Sequence, residues 1–162
     1  MHSKWADLCI LLEDWSKIAV VIKTYDKIGK KYLQQALVKS SARDFFFKAC
    51  LCFLQNEDLQ GAKNAMENYT FEDPAFDNSR QYQFLKGIVE AIETQNPDAL
   101  SQCVRENARI MSLDKANSKL LVEIKKLHVP DQPNVVPDLT MGDVPQTIND
   151  LNLVDGGDDV AP

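Results

Sequence analysis

Long apolar runs are absent from this 162-residue sequence. No run approaches the roughly 18–20 apolar residues that a membrane-spanning helix needs. Three acidic residues, Asp7, Glu13 and Asp14, fall inside the first apolar stretch, which argues against a signal peptide. The sequence therefore predicts a soluble, cytoplasmic protein.

Sequence motifs of catalytic, phosphate-binding or metal sites are also scarce. The two histidines, His2 and His128, lie at the ends of the predicted folded part, with no nucleophile or carboxylate constellation beside them. The six glycines form no phosphate-binding loop. The four cysteines, at positions 9, 50, 52 and 103, lie in apolar segments without metal-ligand spacing, which favours reduced core thiols. We therefore predict a non-enzyme that needs no metal or cofactor.

Charge is distributed unevenly along the chain. Residues 1–48 carry a net charge of +4, residues 49–128 carry −3, and residues 129–162 carry −7, which gives the overall −6. The last 34 residues contain five of the seven prolines and no Lys, Arg or aromatic residue. We therefore divide the chain into a helical domain, 1–128, and a disordered Pro/Asp-rich tail, 129–162. The net negative charge argues against general nucleic-acid binding.

Apolar residues recur every three or four positions through 1–128, and strand-like alternation is absent, so we predict an all-α fold. Two short helices open the chain, with Trp5, Leu8, Leu11 and Leu12 buried in the first. The later helices are predicted over 41–56, 57–69, 78–92, 97–110 and 115–127. Their starts are predicted from a capping box at Ser41 and Asp44 and from N-caps at Asp77, Asn96 and Asp114.

A shift of 37 residues superimposes helix starts and core positions. It places Phe47 on Phe84 and Leu121, and Ala62 on Ala99. Helix pairs repeating at about this length are typical of a tetratricopeptide-like solenoid, in which each pair buries its apolar face against its neighbours. The alternative is a non-repetitive helical bundle with evenly spaced caps.

The repeat groups the charges into two edges. Arg43 and Arg80 should align at the starts of two successive first helices, with Lys39 just before them; we call these three the basic edge. The acidic edge lies at the opposite helix ends and consists of Glu57, Asp58, Glu90 and Glu93. This distribution opposes the helix macrodipole, so stability alone does not select it. It indicates two partners of opposite charge, whereas the plainer alternative is a solvated polar face.

The stretch from Lys39 to Cys52, KSSARDFFFKACLC, resembles the soluble NSF attachment proteins (the SNAP family), most closely their alpha branch. Further similar motifs follow in order at PAF (74–76), with Asp77, Ser79 and Arg80, at Glu90-Ala91, and at IKK (124–126). The resemblance covers about residues 4–127 and only the C-terminal part of family members. It implies an all-helical, tetratricopeptide-like adaptor that binds a syntaxin-type SNARE four-helix bundle and recruits the hexameric NSF ATPase for SNARE disassembly. It also implies that the protein is peripheral on membranes, which it would reach only through these partners.

The resemblance also implies roles for the two edges. Lys39, Arg43 and Arg80 would face the acidic SNARE bundle. The acidic edge would meet basic residues of NSF, as would Asp158 and Asp159 near the end of the tail. The chain departs from the family pattern at Ser40, at Thr94 and in a tail that lacks the family's terminal leucine motif.

Two other functions stay open at this point. One is a tetratricopeptide-like scaffold that binds peptides without SNARE specificity. The other is an enzyme whose site is built from residues interpreted above as core, which a buried carboxylate or thiol with a strongly shifted pKa in a pocket would reveal.

Overall fold

Seven α-helices follow one another in the computed structural model, which describes residues 2–129. Their bounds are α1 His2–Leu11, α2 Ile18–Leu33, α3 Ala42–Gln55, α4 Leu59–Glu72, α5 Arg80–Glu93, α6 Pro97–Ile110 and α7 Lys115–His128. Three 3₁₀ segments, Trp15–Lys17, Ala36–Ser41 and Pro74–Asn78, connect them, and no strand occurs within the described residues. The predicted all-α helical-hairpin fold is confirmed. The predicted tail lies outside the described residues from position 130 onward.

Two of the predicted helix starts are confirmed by side-chain caps. Asn96 Oδ1 accepts a hydrogen bond from the Ala99 N–H at 3.1 Å, and Asp114 Oδ1 accepts one from the Asn117 N–H at 2.8 Å. Each bond satisfies a backbone donor that the first turn of a helix would otherwise leave unpaired. Pro97 follows Asn96 at the first position of α6, where a missing N–H is tolerated.

Two other predicted caps are wrong. The cap of α5 is Ser79, whose Oγ accepts from the Tyr82 N–H at 3.1 Å, because Asp77 belongs to the preceding 3₁₀ turn. Ser41 makes no capping hydrogen bond, because it ends a 3₁₀ segment and already has helical dihedral angles. The predicted capping box with Asp44 therefore does not form.

The predicted helix lengths also need correction. The second helix, predicted to be short, is the 16-residue α2. Helix α4 runs through Glu72, so the interruption that we expected from Thr70 onward begins at Asp73. Asp73 Oδ1 accepts from the Ala75 N–H at 3.3 Å and so stabilises the turn that starts at Pro74.

Three hairpins share one turn geometry. The second residue after each first helix, Glu13, Glu57 or Gln95, has a positive φ of 58°, 59° or 53°. The next N–H then reaches back five residues to a helical carbonyl, as in the bond from Asp58 N to Phe53 O at 2.9 Å. This is the Schellman pattern of helix termination, and it recurs here without the glycine that usually occupies the left-handed position.

Helix α3 lies at the centre of the core, in contact with α2, α4, α5 and α7. Nine of its fourteen residues are buried. Phe46 stacks on Tyr69 of α4 with ring centroids 4.0 Å apart, and Phe47 lies 5.4 Å from Phe84 of α5. The pair Phe47 and Phe84 is one that the 37-residue shift superimposes, so these repeat positions do lie side by side.

The last helix packs back towards the first. Helix α7 contacts α3 and α1 as well as α6, and Lys119 Nζ lies 2.7 Å from Glu13 Oε2 at the end of α1. In a long solenoid each repeat contacts only its neighbours. Here the contact between α1 and α7 joins the first and last helices across α3.

The predicted buried face of α1 is wrong. Ala6, Cys9 and Ile10 are the buried residues of this helix. The predicted inward positions are exposed, with Trp5 at 39%, Leu8 at 52%, Leu11 at 42% and Leu12 at 69% exposure. Helix α1 packs on α2 and α7, and most of its larger apolar side chains face outward, with Ile10 as the buried exception. Across the helices that the structure describes, none is long and apolar enough to cross a membrane.

Candidate protein-interaction edges

The basic edge lies at the N-terminal ends of α3 and α5. Lys39 is exposed in the 3₁₀ segment before α3, and Arg80 is the exposed first residue of α5. A hydrogen bond of 2.8 Å from Gln81 Nε2 to Asp44 Oδ1 joins the first turns of these two helices. The two helix starts are therefore neighbours, as the repeat predicts, although Asp44 places one negative charge among the cations.

Arg43 differs from the other two members of the basic edge. Its Nε donates to Asp73 Oδ2 at 3.1 Å, and its side chain is only 26% exposed. The partner Asp73 is almost fully buried. Arg43 therefore holds the turn between α4 and α5, and within residues 2–129 both terminal nitrogens of its guanidinium stay without a partner. These two nitrogens are the part of Arg43 that can bind an outside anion.

The acidic edge lies at the opposite ends of the same helices. Glu57 is exposed at the end of α3, and Glu90 and Glu93 are exposed in the last turns of α5. Asp58 caps α4, with Oδ1 accepting from the Gly61 N–H at 2.8 Å. Glu93 forms an ion pair with Lys63 of α4, whereas Glu90 has no cationic partner within the described residues. Glu90 and Glu57 therefore carry the uncompensated charge of this edge.

A histidine of α7 also reaches the acidic edge. His128, the last residue of α7, is half-buried, and burial lowers its pKa while the nearby Glu57 opposes that shift. It lines a cavity of about 410 Å³ between α5, α6 and α7, together with Asn96 and Leu127. His128 is thus a titratable group beside the acidic edge, and the sequence analysis did not predict it there.

Each edge is spatially separate from the other. Fourteen helical residues, the length of both α3 and α5, span about 20 Å at 1.5 Å per residue. The screening length at physiological salt is about 8 Å, so charges at opposite helix ends act nearly independently. Two partners of opposite charge could therefore bind at the same time. Asp158 and Asp159, the other predicted acidic contacts, lie outside the described residues.

The thiols offer no reactive nucleophile. Cys9, Cys50 and Cys52 are buried, as predicted, and Cys103 is half-buried. Burial raises the pKa of the Cys50 and Cys52 thiols, and it raises the pKa of Cys103 to about 11. All three therefore stay protonated and unreactive near neutral pH. Among residues 2–129, no three His, Cys, Asp or Glu side chains cluster as metal ligands would.

A buried charge network was missed in the sequence. Lys48 of α3 is only 6% exposed, and its Nζ lies 3.1 Å from Asp7 Oδ1 of α1 and 2.6 Å from Asp114 Oδ2 at the start of α7. Tyr25 of α2 donates a 2.5 Å hydrogen bond to the same Asp7 oxygen. Burial opposes the charge of Lys48, but Asp114 and Asp7 outweigh it and raise the pKa. The only sequence signal was a lysine inside the apolar run FFFKACLC.

Comparison with known proteins agrees with this architecture. The family model "Soluble NSF attachment protein, SNAP" matches residues 1–128, which include all seven helices. The human alpha-soluble NSF attachment protein is 37% identical over 123 residues, which are 76% of this chain and 40% of that protein. The bovine beta-soluble NSF attachment protein is 39% identical over 115 residues, 71% of this chain and 37% of the relative.

A fungal relative shows the same partial coverage. The vesicular-fusion protein SEC17 of Komagataella phaffii is 33% identical over 114 residues, 70% of this chain and 37% of its own length. The chain thus spans about two fifths of the length of the curated relatives that it matches. Because the family model covers well over half of the chain, and every described helix, the chain belongs to the soluble NSF attachment protein (SNAP) family.

Proposed function

We propose that this protein is a non-enzymatic adaptor that binds SNARE complexes and recruits the NSF ATPase in vesicle fusion and intracellular transport. The observation that carries the proposal is the SNAP family match through all seven helices. The relatives are named for attachment of NSF and for vesicular fusion. Two oppositely charged edges about 20 Å apart support a bridging role, because they allow one partner at each end of the helices.

The basic edge is the proposed contact with the SNARE four-helix bundle of syntaxin type. Lys39 and Arg80 are exposed and form no ion pair within residues 2–129, so both charges are available to an acidic partner. Arg43 would contribute its terminal nitrogens while its Nε stays bonded to Asp73. We therefore assign the larger share of specific binding to Lys39 and Arg80.

The acidic edge is the proposed contact with basic residues of NSF. Glu90 and Glu57 carry its uncompensated charge, with Glu93 shared with Lys63 and Asp58 engaged in capping α4. Asp158 and Asp159 remain proposed contacts of the tail. This division predicts that charge reversal at the two edges affects different partners.

The test measures retention of the chain on assembled SNARE bundles and on NSF at low salt. Lys39→Glu with Arg80→Glu should abolish retention on SNARE bundles and leave NSF binding intact, whereas Glu90→Lys with Glu93→Lys should do the reverse. The control Glu67→Lys with Glu106→Lys makes the same charge change as the acidic-edge variant, at exposed residues of α4 and α6 that belong to neither edge. Equal loss of both partners in each edge variant would contradict two separate sites.

A peptide-binding scaffold without SNARE specificity is the second candidate. A groove of about 370 Å³ between α2 and α4, lined by Asp26, Lys30, Asn64 and Tyr69 among others, supports it, because such polar side chains can bind a peptide backbone. SNARE bundles should displace a bound peptide only if both use the same surface. Binding of unrelated peptides with no effect of SNARE bundles would favour the scaffold over the adaptor.

A further inference from the structure

Three lysines form a row along the exposed side of α2. Lys23, Lys27 and Lys31 are all exposed and recur every four residues. Four residues advance a helix by about 6 Å and turn it by about 40° past a full rotation, so the three ammonium groups share one face. We call them the α2 lysine row.

The α2 lysine row is not compensated by nearby acids. None of its members forms an ion pair with any residue between 2 and 129. Neighbouring lysines do: Lys17 Nζ lies 2.6 Å from Asp14 Oδ2, and Lys30 Nζ lies 3.3 Å from Asp26 Oδ2. Residues 15–40 contain six lysines and a single acid. The face is therefore a local positive patch on an acidic protein.

Stability does not explain the row. Like charges four residues apart on a helix repel each other and destabilise it. The helix dipole favours a cation only in the last turn, which accounts for Lys31 but not for Lys23 or Lys27. The row also lies outside the basic edge, whose members are in the 3₁₀ segment before α3 and at the starts of α3 and α5. A different ligand is needed to account for it.

One exposed apolar side chain shares the face of the row, and two more flank α2 in the sequence. Val20, on the same face and one turn before Lys23, is 53% exposed. Leu12 precedes α2 and is 69% exposed, and Leu37 follows it and is 99% exposed. Lysines beside apolar side chains on the outer face of one helix are the pattern that binds anionic membrane surfaces, with apolar groups at the acyl boundary and ammonium groups at the phosphates.

We propose that the α2 lysine row is a docking surface for an anionic lipid bilayer. The contact places the lysines at the lipid phosphates and inserts Val20 at the level of the headgroups. It needs neither SNARE proteins nor NSF, so it goes beyond the adaptor function and brings the chain to the membrane directly.

Co-sedimentation with lipid vesicles tests the proposal on the full 162-residue chain. The chain should bind vesicles of phosphatidylcholine with phosphatidylserine and not vesicles of phosphatidylcholine alone, and high salt should release it. Each lysine near an anionic surface contributes roughly fivefold, so the triple variant K23Q/K27Q/K31Q should lower the partition coefficient on the order of a hundredfold. Thermal melting of the variant checks that it is folded.

A matched control removes three charges elsewhere. Lys86, Arg105 and Arg109 are exposed on α5 and α6, so K86Q/R105Q/R109Q changes the net charge equally and should bind the vesicles like the parent chain. Equal losses in the two triple variants would overturn the proposal, as would equal binding to neutral vesicles. So would a triple α2 variant that keeps vesicle binding and loses only SNARE binding. Because the vesicle assay contains no SNARE or NSF, its failure leaves the adaptor function standing.

Discussion

Helices α1 and α3 are both apolar and both begin a hairpin with the same turn, yet they are buried very differently. Helix α3 buries nine of fourteen residues and α1 three of ten. The difference follows from neighbours: α3 has helices on several sides, whereas α1 contacts α2 and α7 and leaves Leu8 and Leu11 exposed. In a stack of hairpins, burial thus depends on the next repeat at least as much as on a helix's own sequence.

The largest difference in stability is expected when one leucine in each helix is replaced by alanine. Leu51 of α3 is fully buried, so Leu51→Ala should lower the free energy of unfolding by about 2–5 kcal/mol through lost contacts and a cavity. Leu8→Ala in α1 should lower the free energy of unfolding by less than about 1 kcal/mol, because Leu8 is already half exposed. Leucine and alanine also both favour a helix, so the change costs little helix propensity. Urea denaturation measures both. A comparable loss at Leu8 would mean that another molecule covers this face.

The buried lysine that links α3 to α1 should give the next largest effect. Lys48→Met keeps the side-chain stem but removes the charge shared by Asp7 and Asp114, both of which stay partly exposed. We therefore expect a loss of about 1–3 kcal/mol in urea denaturation, below the full cost of breaking a deeply buried pair. The control Lys17→Met removes an exposed pair and should change little. If Lys48→Met lowered the free energy of unfolding no more than Lys17→Met does, the network around Lys48 would not be stabilising.

Sequence patterns predicted local features of this fold well. Asn96 and Asp114 were correctly identified as caps because an N-cap is decided by the few residues that follow it. The prediction of Asp77 as the cap of α5 was wrong because two acceptable caps, Asp77 and Ser79, lie close together. Asp77 belongs to the 3₁₀ turn before the helix, so Ser79 is the cap. The pairing of Phe47 with Phe84 followed from the repeat, which encodes contacts between neighbouring hairpins.

Features that depend on several distant elements were not predictable. The environment of Lys48 combines α1, α2, α3 and the start of α7, and no spacing in the sequence encodes that meeting. The outward face of α1 likewise depends on which helices happen to cover it. The left-handed turn positions, Glu13, Glu57 and Gln95, carry no glycine that would have identified them.

The shared turn gives a smaller, stabilising prediction. Glu57 and Glu13 both have positive φ, a conformation that glycine adopts without steric cost. Glu57→Gly should raise the free energy of unfolding by about 0.5–1 kcal/mol and still weaken NSF binding, which separates function from stability. Glu13→Gly should gain less in the same denaturation experiment, because it also removes the ion pair with Lys119. A larger gain at Glu13 would show that this pair stabilises nothing.

Acid titration should separate two groups at α7: His128, its last residue, which lies near Glu57, and Glu13 after α1, which pairs with Lys119. Burial lowers the folded-state pKa of His128, so the unfolded chain binds the proton more readily, and stability should decrease as pH falls from about 6.5 towards the folded pKa. The pKa of Glu13 is lowered by its hydrogen bond and charge interaction with Lys119, so its contribution should be lost only below about pH 4.5. Melting temperatures measured from pH 7 to pH 3 test this order. His128→Gln should remove the decrease near pH 6 and leave the acidic one, whereas an unchanged profile would mean that the pKa of His128 is the same in the folded and unfolded chain.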